Sequence, residues 1–146
     1  LEGVKQILIL RDFHADNLIY RPAGRGLDKV GLLDFQDAQI GPAIYDLVSL
    51  LEDARRDVSP AVTDAMKRLY ATSISENADT FQSCYAIISA QRNLRIIGCF
   101  YRLILRDGRS RYQHFLPRVW SYLRHTVSLP LMASLEAWLY QRRVKL

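Results

Sequence analysis

Leu10-Arg-Asp-Phe-His-Ala-Asp-Asn17, followed by Leu33-Asp-Phe-Gln-Asp37, is the stretch on which the reading of this chain turns. Around it lie three short apolar runs of strand type: Gln6–Leu10, Asn17–Tyr20 and Val30–Asp34. Between the last two, Arg21-Pro-Ala-Gly-Arg-Gly-Leu-Asp28 carries the proline and glycines of a hairpin loop. A strand–loop–strand–turn–strand arrangement would bring Asp12 and Asn17, spaced D-x-x-x-x-N, close to Asp34 at the end of the third strand. Two carboxylates and an amide oxygen around one point are hard oxygen donors of the kind that suit Mg²⁺ alongside substrate phosphates. The simpler reading is that Asp12 and Asn17 are loop residues bonding their own backbone.

Downstream, Gly41-Pro42 is expected to end the extended chain and open a helix over 43–54, with the proline in the first turn. Helical periodicity continues from Ser59-Pro60 to Thr72, from Ala78 to Asp107 with Gly108 as the C′ residue, over Tyr112–Val127, and over Pro130–Arg142. The fold class is therefore α+β and mostly helical: a short β-hairpin region followed by a helical bundle, without repeats or linkers.

The 146 residues are 49% hydrophobic and 24% charged, with five prolines and seven glycines, which excludes a disordered or low-complexity chain. No apolar run approaches the ~20 residues of a membrane helix, and no basic leader precedes an apolar stretch. The expected setting is cytoplasmic, with no membrane partner. The net charge of +5 is unevenly placed. Residues 1–73 hold nine basic and eleven acidic side chains, residues 74–146 eleven and four. Basic residues interleaved with aromatics on a sheet are missing, so no nucleic-acid partner is expected. Cys84 and Cys99 stand fifteen apart in one helical pattern, too far for a disulfide and without metal-ligand spacing. Numbering opens at Leu1 and the first strand follows almost at once, so the chain reads as a segment of a longer polypeptide.

The paired motifs resemble the catalytic and metal loops of the protein-kinase-like fold. They are most similar to those of its small-molecule branch, the aminoglycoside phosphotransferase and choline kinase family. Asp12, His14 and Asn17 match the first loop of that family, and Asp34, Phe35, Ala38, Gly41, Pro42, Asp46 and Leu47 match the second. The wording of Leu33–Ala38, Tyr45–Leu50, Gln91–Gly98 and Tyr101–Gly108 looks most like the anomeric kinases of bacterial cell-wall recycling, which act on N-acetylmuramate and N-acetylglucosamine. The resemblance implies that Asp12 accepts the proton of the attacking hydroxyl, and that Asn17 and Asp34 hold Mg²⁺ on the phosphates of ATP. It also implies that Asp46 braces the loop from behind, with Arg11 and His14 as its partners. A loose phosphoryl transition state needs positioning and charge neutralisation more than a strong base, so an ordinary carboxylate suffices.

Two positions depart from the pattern. Leu10 replaces a histidine, and Gln36 replaces the glycine of D-F-G, which argues against a flipping metal loop. Asp37 is either a metal or substrate contact or a turn residue on the approach to the first helix. Arg92, Arg95, Arg102 and Arg106 share a wedge of about 80° on one helix face. That face is either a solvated or ion-paired stripe, or a source of bidentate contact to an anionic substrate group, with Arg92 foremost.

The family's nucleotide lobe needs a phosphate-covering hairpin, a lysine and a pairing glutamate, and the ten residues before Arg11 cannot supply it. Gly24-Arg-Gly26 is no substitute. The chain is thus expected to be the C-terminal, catalytic-loop and substrate lobe of an ATP-dependent kinase for a small-molecule hydroxyl, inactive without its N-terminal lobe. Aminoglycosides and choline-like alcohols are the rival substrates, and the arginine-rich second half argues against polycations. The competing class is a non-catalytic helical interaction module derived from this fold.

Overall fold

The computed structural model describes residues 4–144. It divides at Glu76–Asn77 into two compact units. The first contains β1 (Gln6–Ile9), β2 (Leu18–Tyr20), β3 (Val30–Leu32), β4 (Gln39–Pro42), α1 (Tyr45–Leu51) and α2 (Pro60–Ser73). β2 and β3 pair antiparallel as the expected hairpin, with Ile19 opposite Gly31. β1, however, pairs with β4 and not with β2, Leu8 lying opposite Ile40 and Gln6 opposite Pro42. The three expected strands, joined by an unexpected fourth, therefore form two separate ladders, one enclosing the other in sequence.

The correction at β4 has a local cause. Pro42 lacks a donor but sits at the end of its ladder, where none is needed. The next amide, Ala43, bonds the Lys5 carbonyl at 2.9 Å and carries the pairing one step further. Helix formation is delayed to Tyr45, so Pro42 closes a strand instead of opening a helix. Gly41 is buried in this ladder, and glycine is required there because a Cβ would collide with the Ile9 side chain, itself 1% exposed. Ile9 joins Ala43, Ile44, Val48 and Leu51 in the core of this unit. α2 begins as the sequence indicates, with Ser59 capping the Val62 amide and Pro60 in the first turn. Its Tyr70 hydroxyl donates to the Ala43 carbonyl at 2.6 Å and fixes the entry to α1.

The second unit contains α3 (Ala78–Leu105), α4 (Leu116–Val127) and α5 (Ala133–Gln141). Asn77 caps α3 through the Thr80 amide at 2.8 Å, and Gly108 takes the left-handed φ of 67° past its end. α4 starts four residues later than its periodicity suggests. Pro117 has no donor and would clash with the carbonyl four residues back, so residues 110–115 wind as a 3₁₀ turn. Residues 130–132, opened by Pro130, likewise form a 3₁₀ turn ahead of α5. Phe81, Ile88, Ile97 and Phe100 of α3 and Val119, Leu123 and Val127 of α4 are buried at helical spacing. Cys84 and Cys99 form no disulfide.

The arginine stripe of α3 is not uniform. Arg95, Arg102 and Arg106 are exposed, and Arg106 forks onto the adjacent Asp107 carboxylate. Arg92 is buried at 6% exposure, beside Ser89 and Asn93, because it lies at the edge of the wedge nearest the packed face.

Candidate active site

The loop between β1 and β2 is built from backbone that does not hold itself. Leu10 leaves the β1 ladder, Arg11 takes a left-handed φ of 69°, and a 3₁₀ turn over Ala15–Asn17 leads into β2. A non-glycine residue in that region stores strain, which the surrounding contacts must hold in place. Asp46 in the first turn of α1 supplies them. Its two carboxylate oxygens accept the Leu10 amide at 2.6 Å and the Arg11 amide at 3.0 Å. The brace therefore grips main-chain amides, and Arg11, one of its two expected partners, meets it through its backbone nitrogen.

Asn17 is where the separate parts of the motif meet. Its amide nitrogen donates to the Asp12 carbonyl at 2.9 Å, stands 3.4 Å from His14 Nε2, and reaches Asp34 Oδ2 at 3.5 Å. Because the Asp12 carbonyl can only accept, the carboxamide is oriented with nitrogen inward, and Oδ1 accepts no hydrogen bond among the described residues. The simpler reading of Asn17 as a backbone-bonding loop residue holds for its nitrogen alone. Asp12 is exposed, and its carboxylate carries no hydrogen bond among the described residues.

Asp34 also sits at a left-handed φ, of 57°, where the chain leaves β3. Gln36 Nε2 donates to its Oδ1. The residue that replaces the flexible glycine thus ties the carboxylate down. Asp37 lies in the turn that leads into β4, not on the approach to the helix, and is exposed. Arg92 belongs to the second unit.

His14 Nδ1 is buried and has no hydrogen-bond partner among the described residues. Burial, and then the Arg55 guanidinium, pull its imidazole below the ordinary histidine range, against smaller opposing pulls from Asp53, Asp16 and Asp12. The folded state therefore binds a proton less readily than the unfolded chain. Its contribution to stability is complete above the unfolded pKa of about 6.5 and is lost as pH falls toward the lower folded value. A His14→Gln variant is expected to lose less of its denaturant midpoint than the wild type between pH 7.5 and 5.5. Equal losses would reject this account.

Three groups not expected to take part also reach the loop. Ser49 Oγ donates to the Arg11 carbonyl at 3.4 Å. Asp53 accepts the Ala15 amide at 3.2 Å, and Arg55 pairs with Asp16 at 3.3 Å. Their only trace in the sequence is the 46, 49, 53 spacing of polar residues within the helix expected over 43–54; α1 itself ends at Leu51, and Asp53 lies just past its cap.

The model of the phosphotransferase enzyme family (APH) matches residues 2–82, more than half of the chain, which therefore belongs to that family. The chain is 43% identical over 129 residues to an N-acetylmuramate/N-acetylglucosamine kinase of Caulobacter vibrioides, covering 88% of this chain and 36% of that protein. Proteins of the same name from Neisseria meningitidis (37% identical over 126 residues, 82% of this chain and 36% of that protein) and Pseudomonas putida (31% over 129 residues, 84% and 37%) also match. The chain spans little more than a third of the length of these curated relatives. Among the described residues no helix is long and apolar enough to cross a membrane.

Proposed function

We propose that this chain is the C-terminal lobe of an ATP-dependent amino-sugar kinase, which passes the γ-phosphoryl group to a hydroxyl of N-acetylmuramate or N-acetylglucosamine. The observation that carries the reading is the Asn17 carboxamide. It bonds the Asp12 main chain on one side, meets Asp34 on the other, and leaves its oxygen without a donor. The coverage of the relatives supports an N-terminal nucleotide lobe outside this chain, and ATP as donor assigns the reaction to the cytoplasm.

The donor set fits Mg²⁺. Asn17 Oδ1 and the Asp34 carboxylate are hard oxygens from adjacent side chains. Among the described residues no three His, Cys, Asp or Glu gather into a closed protein site, and Mg²⁺ characteristically takes one or two protein oxygens plus phosphates. When bound, the ion supplies charge neutralisation on the nucleotide phosphates. The chain's own residues do the rest. Asp12 orients the acceptor hydroxyl and takes its proton on the carboxylate, which is exposed and uncommitted. Gln36 and Asn17 keep the Asp34 carboxylate in one position. Asp46, through two amides, fixes the backbone that carries Asp12. Such positioning, made before the substrate arrives, is what phosphoryl transfer asks of a protein. Asp37, exposed in the turn before β4, is assigned to the sugar.

The test is ADP release by the full-length protein with Mg²⁺, ATP and each of N-acetylmuramate, N-acetylglucosamine, kanamycin and choline. Turnover with the two amino sugars is expected. Turnover confined to kanamycin or choline would move the protein to another branch of the family, and none at all would leave the interaction-module reading.

A further inference from the structure

The loop is held at two places, and the second has no role in the reading above. At the first, Asp46 and Ser49 grip residues 10 and 11, just before Asp12. At the second, Asp53 and Arg55 grip residues 15 and 16, just before Asn17. Asp53 is 1% exposed. A carboxylate removed from water is tolerated only where its oxygens are satisfied. Asp53 Oδ1 accepts the Arg55 amide at 2.9 Å and lies 3.8 Å from the Arg55 guanidinium, while Oδ2 accepts Ala15. The Ala15 amide opens the 3₁₀ turn that ends in Asn17, a turn whose N-cap, His14, provides no side-chain hydrogen bond. That amide would otherwise be an orphan. Arg55 then reaches over the same turn to Asp16 at 3.3 Å, with Arg56 adding a weaker contact at 3.8 Å. Every group in this second clamp bears on the three-residue turn that sets where the Asn17 carboxamide points.

We propose that Asp53 and Arg55 are positioning residues for Asn17, and that they set the Mg²⁺ requirement of the protein separately from its turnover. The proposal rests on the assignment of Asn17 as a metal ligand. Groups one shell out from a metal ligand typically govern affinity by 10–100-fold. The second clamp holds a ligand and the first holds the base, so losses in the two should differ in kind.

The experiment uses the full-length protein with Arg55→Ala, Asp53→Asn and, in the first clamp, Ser49→Ala. Mg²⁺ binding in the presence of ADP is measured by calorimetry, and turnover is followed across a Mg²⁺ titration at saturating ATP. Arg55→Ala and Asp53→Asn are expected to weaken Mg²⁺ binding by roughly 10–100-fold, with kcat recovering at saturating Mg²⁺. Arg55→Lys should recover part of the affinity, because it keeps the charge without the fork. Ser49→Ala should lower kcat and leave the Mg²⁺ midpoint in place. Arg55 is partly exposed and its substitution leaves the core intact, so it decides the question if Asp53→Asn fails to fold. An unchanged Mg²⁺ affinity in a folded Arg55→Ala protein overturns the proposal, as does a loss of thermal stability and kcat at an unmoved Mg²⁺ midpoint. A wild type that binds Mg²⁺ but phosphorylates no sugar removes the proposed function alone, and the calorimetric comparison still decides this inference.

Discussion

Asp12→Ala in the full-length protein is expected to lower kcat by ~10²–10⁴-fold, the range for losing a positioned general base, while leaving the denaturation midpoint where it was. The two halves of that result belong together. Asp12 is exposed, and its carboxylate holds no hydrogen bond among the described residues, so removing it empties no cavity and orphans no buried donor. Surface substitutions of that kind usually fall within about 0.5 kcal/mol. Its carbonyl, which receives the Asn17 amide at 2.9 Å, survives in the alanine variant. Asn17 and Asp34, the proposed metal ligands, should therefore stay in place, and KM for ATP should hold while kcat falls. Steady-state kinetics and a chemical melt decide the matter. Wild-type turnover in the variant would remove Asp12 from the reaction, and a large loss of stability would make it a structural residue.

Asp46→Ala should show the opposite profile, with stability lost first. One carboxylate satisfies two consecutive amides, at 2.6 and 3.0 Å, in a segment where Arg11 is already held at a φ of 69°. Each orphaned, partly buried donor costs about 1–3 kcal/mol, so the alanine variant should lose roughly 2–5 kcal/mol, measured as a shift of the denaturant midpoint. Asp46→Asn retains one oxygen acceptor and should lose about half as much. Activity should fall in both, since the strained backbone on which Asp12 is mounted is free to relax. An alanine variant that melts with the wild type would show that the strain is held elsewhere.

The local signals in the chain were dependable wherever a residue acts on its own neighbourhood. Ser59-Pro60 starts a helix where its side chain caps one. Gly108 takes the positive φ expected of it, although α3 ends at Leu105 with Arg106 as its cap, so that the glycine lies two residues beyond the cap. Arg21–Asp28 turns between the two strands that pair. The misreadings share one cause, which is competition from residues far along the chain. Pro42 looks like a helix opener until Lys5 offers its neighbour's amide a carbonyl. Leu10 looks like the last residue of a strand until Asp46, thirty-six positions later, takes its amide. Pro117 is the exception, a local signal whose clash with the preceding turn splits an unbroken helical period.

The site divides the same way. Asp12, Asn17 and Asp34 could be singled out as candidates because side-chain type and spacing around a short hairpin mark them, and the fold does bring Asn17 against the Asp12 carbonyl and Asp34. Ser49, Asp53 and Arg55 could not be, because what they bind is backbone, and every residue but proline offers the same amide. Only folding selects which amide a buried carboxylate will meet. Residue identity and spacing along the chain thus settle which groups are candidates for chemistry here, while the backbone at Arg11 and Ala15 is held by contacts thirty-five or more residues apart, which exist only once folding has brought those distant segments together.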